Sequence, residues 1–142
     1  MAVYFTPYVD VGVDTAIFAS GDALGAKTSF SNIPEHGVIH SIVVIDRDKE
    51  SVNLDVVLFW ADFTGTAANA AYDPVDADLS KSVGSVLIST WKAFNASSQG
   101  VATNIGMPYW APEGKLYFQC VTRGTPTYTA ETDLLIALGI VY

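Results

Sequence analysis

Two histidines, one cysteine and a short run of aspartates are the residues of this chain whose types and spacing could do chemistry. His36 and His40 are four apart, a spacing that on a helix puts both imidazoles on one face within reach of one metal ion. Gly37, Val38 and Ile39 between them favour a strand, where positions four apart are separated by about 13 Å. One ion cannot bridge that distance, so no metal site is expected there. Asp73, Asp76 and Asp78 place three carboxylates within six residues. A calcium loop of the helix-loop-helix type needs carboxylates at its first, third and fifth positions, then glycine at the sixth and glutamate at the twelfth. The later elements are missing, which leaves capping and turn chemistry around one helical turn. Cys120 sits inside the apolar run 116–121 with no neighbouring base, the setting of an inert core thiol rather than a nucleophile.

The chain has no G-x-S-x-G elbow, phosphate-cradling glycine loop or dinucleotide fingerprint, and no serine is tied by local sequence to a histidine and a carboxylate. A pair of carboxylates across a cleft could serve glycoside hydrolysis, but 15 acidic residues make some such pair inevitable by chance. No catalytic residue, cofactor or metal is therefore expected, and the protein is read as a non-enzyme. Asn95-Ala96-Ser97 has the form of a glycosylation acceptor, which without a leader segment reads as a polar loop.

Composition narrows the partners. Fifteen acidic residues against seven basic ones give a net charge of −8, whereas a nucleic-acid surface needs clustered Lys and Arg. Arg47 and Lys49 are the nearest thing to a basic pair, and Asp46, Asp48 and Glu50 surround them. Hydrophobic residues make up 50% of the chain and charged ones only 15%, against about 25% in an ordinary globular domain. Such a surface must be rich in small polar residues or be covered by partners. No stretch reaches the ~18 apolar residues of a membrane span, and no basic segment followed by an apolar run opens the chain. Neither nucleic acid nor membrane is an expected partner.

The elements behind these residues follow a period of two. Val52, Leu54, Val56, Leu58 and Trp60 share one face of a strand. Residues 37–45 are rich in β-branched types, and the charged cluster 46–50 reads as the connection that pairs the two strands antiparallel. The alternation returns at Leu116, Phe118, Cys120 and Thr122, bounded by Pro and Gly. It returns again in residues 133–142, where both faces are largely apolar, so that strand is central or covered on its second side. Shorter strands are predicted over 16–19, 26–30, 83–90 and 101–105. A helical turn over 74–80 would have Asp73 as its cap and Pro74 in its first position. About seven or eight short antiparallel strands predict a single all-β sandwich over residues 13–142. Residues 1–12, with Tyr4, Phe5 and Tyr8 around Pro7, read as an extended N-terminal arm outside it, with an edge strand of the same sandwich as the competing expectation.

Aromatic residues on loops are core lids or interface anchors. Tyr4, Phe5, Tyr8, Trp91, Tyr109 and Trp110 are the candidate interface residues on this ground. Trp91, Asn95, Tyr109 and Trp110 could alternatively form an aromatic platform for carbohydrate.

Several stretches, read in order, resemble small accessory virion proteins of tailed bacteriophages, of the capsid decoration or cement kind. They are Ser20-Gly21-Asp22-Ala23-Leu24-Gly25, residues 39–46 followed by 54–59, and Ala77-Asp78-Leu79. Val101-Ala102-Thr103-Asn104-Ile105-Gly106, Arg123-Gly124-Thr125-Pro126-Thr127-Tyr128 and residues 133–140 complete the series, which covers most of residues 14–140. The resemblance implies a jelly-roll-like sandwich that forms homo-oligomers, commonly trimers, and binds the major capsid protein on the outer surface of an icosahedral head. It carries no catalytic residues. Membership of a tail, baseplate or head fibre, as a carbohydrate- or receptor-binding sandwich, is the alternative it leaves.

Overall fold

The computed structural model describes residues 1–142. In chain order its strands are β1 (Val3–Phe5), β2 (Val9–Asp10), β3 (Thr28–Ser31), β4 (His36–Asp46), β5 (Leu54–Phe59) and β6 (Ser82–Ile88). β7 (Trp91–Ala93), β8 (Ser98–Ala102), β9 (Met107–Trp110), β10 (Lys115–Thr122) and β11 (Leu134–Val141) follow, and one helical turn, α1 (Asp76–Leu79), precedes β6. The larger sheet runs β1-β11-β4-β8-β7, with β2 also on β11 and β9 also on β4, and the smaller runs β3-β10-β5-β6. Every pairing is antiparallel. The first strands pair with the last, β3 with β10, β4 with β8 and β5 with β6. That is a ribbon rolled into a double-sheet jelly roll.

Eleven strands exceed the seven or eight predicted: residues 1–12 supply two, β7 is an addition and the strand after it is split in two, while one predicted strand is missing. β1 and β2 are consecutive pieces along β11 interrupted at Pro7. β8 and β9 are consecutive pieces along β4, separated where Asn104 (φ 53°) and Gly106 (φ 68°) break the extended backbone. The predicted strand over 16–19 is absent, and β7 and β9 were not predicted.

The alternation seen in the sequence builds the core. Ile39, Ile42 and Val44 of β4 face Leu54, Val56 and Leu58 of β5, with Leu116, Phe118 and Cys120 of β10 and Leu134, Ile136, Leu138 and Ile140 of β11 in the same 23-residue cluster. Phe30 stacks on Phe118 at 4.6 Å between ring centres. Full burial stabilises each such side chain by about 1.5–3 kcal/mol.

β4 and β5 do not pair as the sequence predicts; they lie in opposite sheets. Asp46, fully buried at the end of β4, accepts the Asp48 N–H on Oδ1 and the Ser51 N–H on Oδ2, both at 2.9 Å. Lys49 and Ser51 adopt positive φ. The carboxylate thus organises a crossover between sheets, where a hairpin would have kept both strands in one. The arm expectation is corrected too. Residues 1–12 are extended, but they form an edge of the larger sheet, with Val3 opposite Val141, Tyr4 opposite Ile140 and Phe5 opposite Gly139. Thr6 is buried, and its Oγ1 accepts the Leu138 N–H at 2.9 Å. No helix is long and apolar enough to cross a membrane.

Candidate interaction surface

The residues with chemical potential are dispersed. His36 and His40 are both exposed on β4, and the nearest acid to His36 is Glu35, 3.8 Å away. α1 begins without a side-chain cap at Val75, so Asp73 does not cap it. Asp78 is buried and both its oxygens accept the Thr64 N–H at 3.1 and 3.2 Å, which ties the helical turn to the preceding loop. Cys120 is buried, and burial pushes its thiol up to about 12, so it stays protonated and unreactive at neutral pH. No three metal-ligating side chains converge.

The six candidate aromatics divide by the pleat. Phe5, Tyr8 and Trp110 are exposed. Tyr4 and Trp91 fall on inward positions and pack against the core cluster. Tyr109 is buried within that cluster and its hydroxyl donates to the Pro34 carbonyl at 2.8 Å, with burial raising its pKa to about 12. It is a lid on the core, not a surface anchor. Trp91 has turned under the sheet beside Gly100, where a side chain would collide with its ring. The carbohydrate platform imagined from Trp91, Asn95, Tyr109 and Trp110 therefore loses two of its aromatic rings to the core.

The two outer faces of the sandwich differ, and the difference defines the surface. The outer face of the smaller sheet carries Val57, Phe59 and Val121, and Phe63 of the loop following β5 covers them, its ring stacked on Phe59 at 3.9 Å. Buried Gln119 fastens that loop: Nε2 donates to the carbonyls of Gly25 and Thr66, and Oε1 accepts the Thr66 N–H. Lys27 adds an ion pair to Asp62 at 2.7 Å. A buried amide with each hydrogen-bonding group satisfied specifies one loop position.

The larger sheet has no such cover. Alternation and register place Leu135, Ala137, Gly139 and Val141 of β11 on its outer side, beside Ile45, Val43, Ser41 and Val38 of β4. Gln99 and Val101 of β8 continue the rows, and Val3 and Phe5 begin them on β1. None of these side chains belongs to either core cluster, although Ala137 and Gly139 are buried between their neighbours and Leu135, Val141, Val43, Ile45 and Val101 are partly exposed. Phe5 is 72% and Val3 60% exposed, and Phe5 lies over Gly139, where a Cβ would meet its ring at 3.0 Å. Across residues 135–141 of β11 and 41–45 of β4 the outward positions carry no acid or base; further along β4, beside Val38, the exposed imidazoles of His40 and His36 end the apolar stretch. The two-faced apolar pattern of residues 133–142 was the sequence signal for this surface; Val38, Val43, Ile45 and Val101 were not singled out because strand order alone puts them in the same rows.

A second feature lies at one end of the sandwich, an open groove of about 930 Å³ with Met1, Pro34, His36, Val38, Tyr109 and Tyr142 on its walls. Trp110, half exposed, stacks on Trp60 at 5.9 Å. No family model matches the chain, and no curated protein matches it.

Proposed function

We propose that this chain is a structural virion protein, a capsid decoration or cement protein that associates with itself and stabilises the outer surface of a phage head. The observation that supports this best is the bare apolar face of the larger sheet in a fold that covers its other outer face with its own loop. A small monomer rarely leaves a contiguous apolar sheet surface in water, and covering it against other chains is the work of an assembly protein. The ordered resemblance in sequence points the same way, implies a trimer, and names the major capsid protein as partner. A cement protein acts by binding native shell subunits in preference to loosened ones, which shifts the equilibrium towards the intact shell. Many modest contacts repeated by symmetry are enough.

The test is to incubate the purified protein with isolated phage heads, measure copies retained per shell by quantitative mass spectrometry, and follow shell melting. Retention in a fixed ratio to the capsid subunits with a higher melting temperature is expected. Failure to bind heads would remove the cement reading. A second reading, a carbohydrate- or receptor-binding module of a tail, baseplate or head fibre, draws on Trp110 stacked on Trp60. Its signature would be glycan binding abolished by Trp110→Ala with shells left unbound.

A further inference from the structure

One row of the bare face is ended by opposite charges. Asp10 on β2 stands opposite Leu135 on β11, Leu135 opposite Ile45 on β4, Ile45 opposite Gln99 on β8, and Gln99 opposite Lys92 on β7. The row therefore reads Asp10, Leu135, Ile45, Gln99, Lys92 across the whole sheet, with Ile45 at its centre. Asp10 and Lys92 are both exposed. Neither takes part in a salt bridge within the chain.

We propose that this face binds the same face of a second copy, about a twofold axis that lies in the interface and runs parallel to β4. Such an axis reverses each row and keeps its level along the strands. Ile45 then meets Ile45 of the second copy, Val43 meets Val43, Ala137 meets Val101, and Asp10 meets Lys92 at both ends. A twofold axis across the strands would instead set Asp10 against Asp10 and Lys92 against Lys92, with like charges destabilising both edges. Aligned face-to-face packing is an ordinary geometry for two sheets. A face that packs on its own copy is isologous and closes as a pair, so a trimer would need another surface.

The area places the contact in a size class. At ~3.3 Å per residue along β11 and ~4.8 Å between strands, the face is about 20 Å on each side, roughly half of the ~800 Å² that each partner gives to a stable interface. An interface of that size is weak and transient, with its affinity set by the quality of the central contacts and the edge charges. The inference rests on the reading of this face as an assembly surface and names the partner as a second copy.

Sedimentation of the full chain across roughly micromolar to hundred-micromolar concentrations tests it. A monomer–dimer equilibrium is expected for the native protein. At ~0.15 M salt, where the repulsion of net charges is largely screened, D10K alone and K92D alone each weaken it by about threefold or more, and the double exchange D10K/K92D restores it to within about twofold of native. Val43→Glu, at the centre, abolishes it while near-ultraviolet circular dichroism stays native. A monomer at every concentration, a threefold mass, or a double exchange no better than the single ones would overturn the proposal. Head binding by a protein that stays monomeric would overturn the twofold contact and leave the cement reading standing. A dimer that never binds heads does the reverse.

Discussion

Asp46 carries a carboxyl group where the fold gives it backbone partners and no ion-pair partner. Burial raises its pKa above the ordinary 3.8, and the N–H groups of Ser51 and Asp48 pull the other way without cancelling it. A folded-state pKa above the unfolded one means that the charged form costs stability at neutral pH. That cost fades as pH falls through the folded pKa and is gone below 3.8. Asp46→Asn keeps the shape but supplies one acceptor oxygen for two N–H groups, leaving a buried donor facing an amide. Destabilisation of about 1–3 kcal/mol is expected near neutral pH. The gap between the native protein and the variant should widen in mild acid, because only the native protein gains from proton uptake. Urea unfolding of both at pH 7 and pH 5 checks the sign; a gap that narrows in acid would mean the carboxylate is stabilised, not strained, by its site.

At the scale of elements, the edge made by residues 1–12 carries more than its length suggests. Ala2 and Tyr142 exchange both backbone hydrogen bonds, Thr6 N–H donates to the Leu138 carbonyl, and Tyr4 packs on the core. Deleting residues 2–9 strips these from β11 and opens the edge of a strand whose faces are both apolar. A loss of at least about 3 kcal/mol is expected, with aggregation on warming because an unprotected apolar edge templates further pairing; thermal unfolding with light scattering measures both. A truncated protein as stable as the native one would return these residues to the role of a free arm. The strands themselves were largely legible in sequence, since 54–58, 116–122 and 134–140 alternate with the period that the pleat imposes. Which strands pair was not: β4 and β5 are neighbours in sequence but enter different sheets, because one buried carboxylate and two residues at positive φ turn the chain across the sandwich. Whether Tyr109 and Trp91 are core lids or interface anchors was not legible for a related reason. Their burial depends on Gly37 and Gly100 on neighbouring strands leaving room for the rings, and no local pattern announces that partnership. Of the bare face, the two-sided apolar character of β11 could be read directly, whereas its rows needed the register.

For the molecule as a whole, the apolar face and the acidic charge act against each other. Two copies of charge −8, with centres about 25 Å apart in a face-to-face pair, repel by on the order of 10 kcal/mol in unscreened water. The two edge pairs of Asp10 with Lys92 return about 0.2–1 kcal/mol each, too little to offset repulsion of that size. Salt therefore decides the balance. At ~0.01 M the screening length of ~30 Å leaves several kcal/mol of the repulsion in place, and at ~0.15 M, where it is ~8 Å, most of it is gone. Self-association should strengthen by at least about tenfold between these conditions, although the edge ion pairs weaken over the same range. Sulfate should strengthen it further by favouring apolar burial. Sedimentation equilibrium in a salt series reads this directly, and the two contributions differ in sign. Association that weakens steadily as salt is added would show that edge charges, rather than the apolar centre around Val43 and Ile45, hold the copies together. Association that strengthens in the native protein and is absent at every salt concentration in the Val43→Glu variant would place the driving force on the uncovered face of the larger sheet.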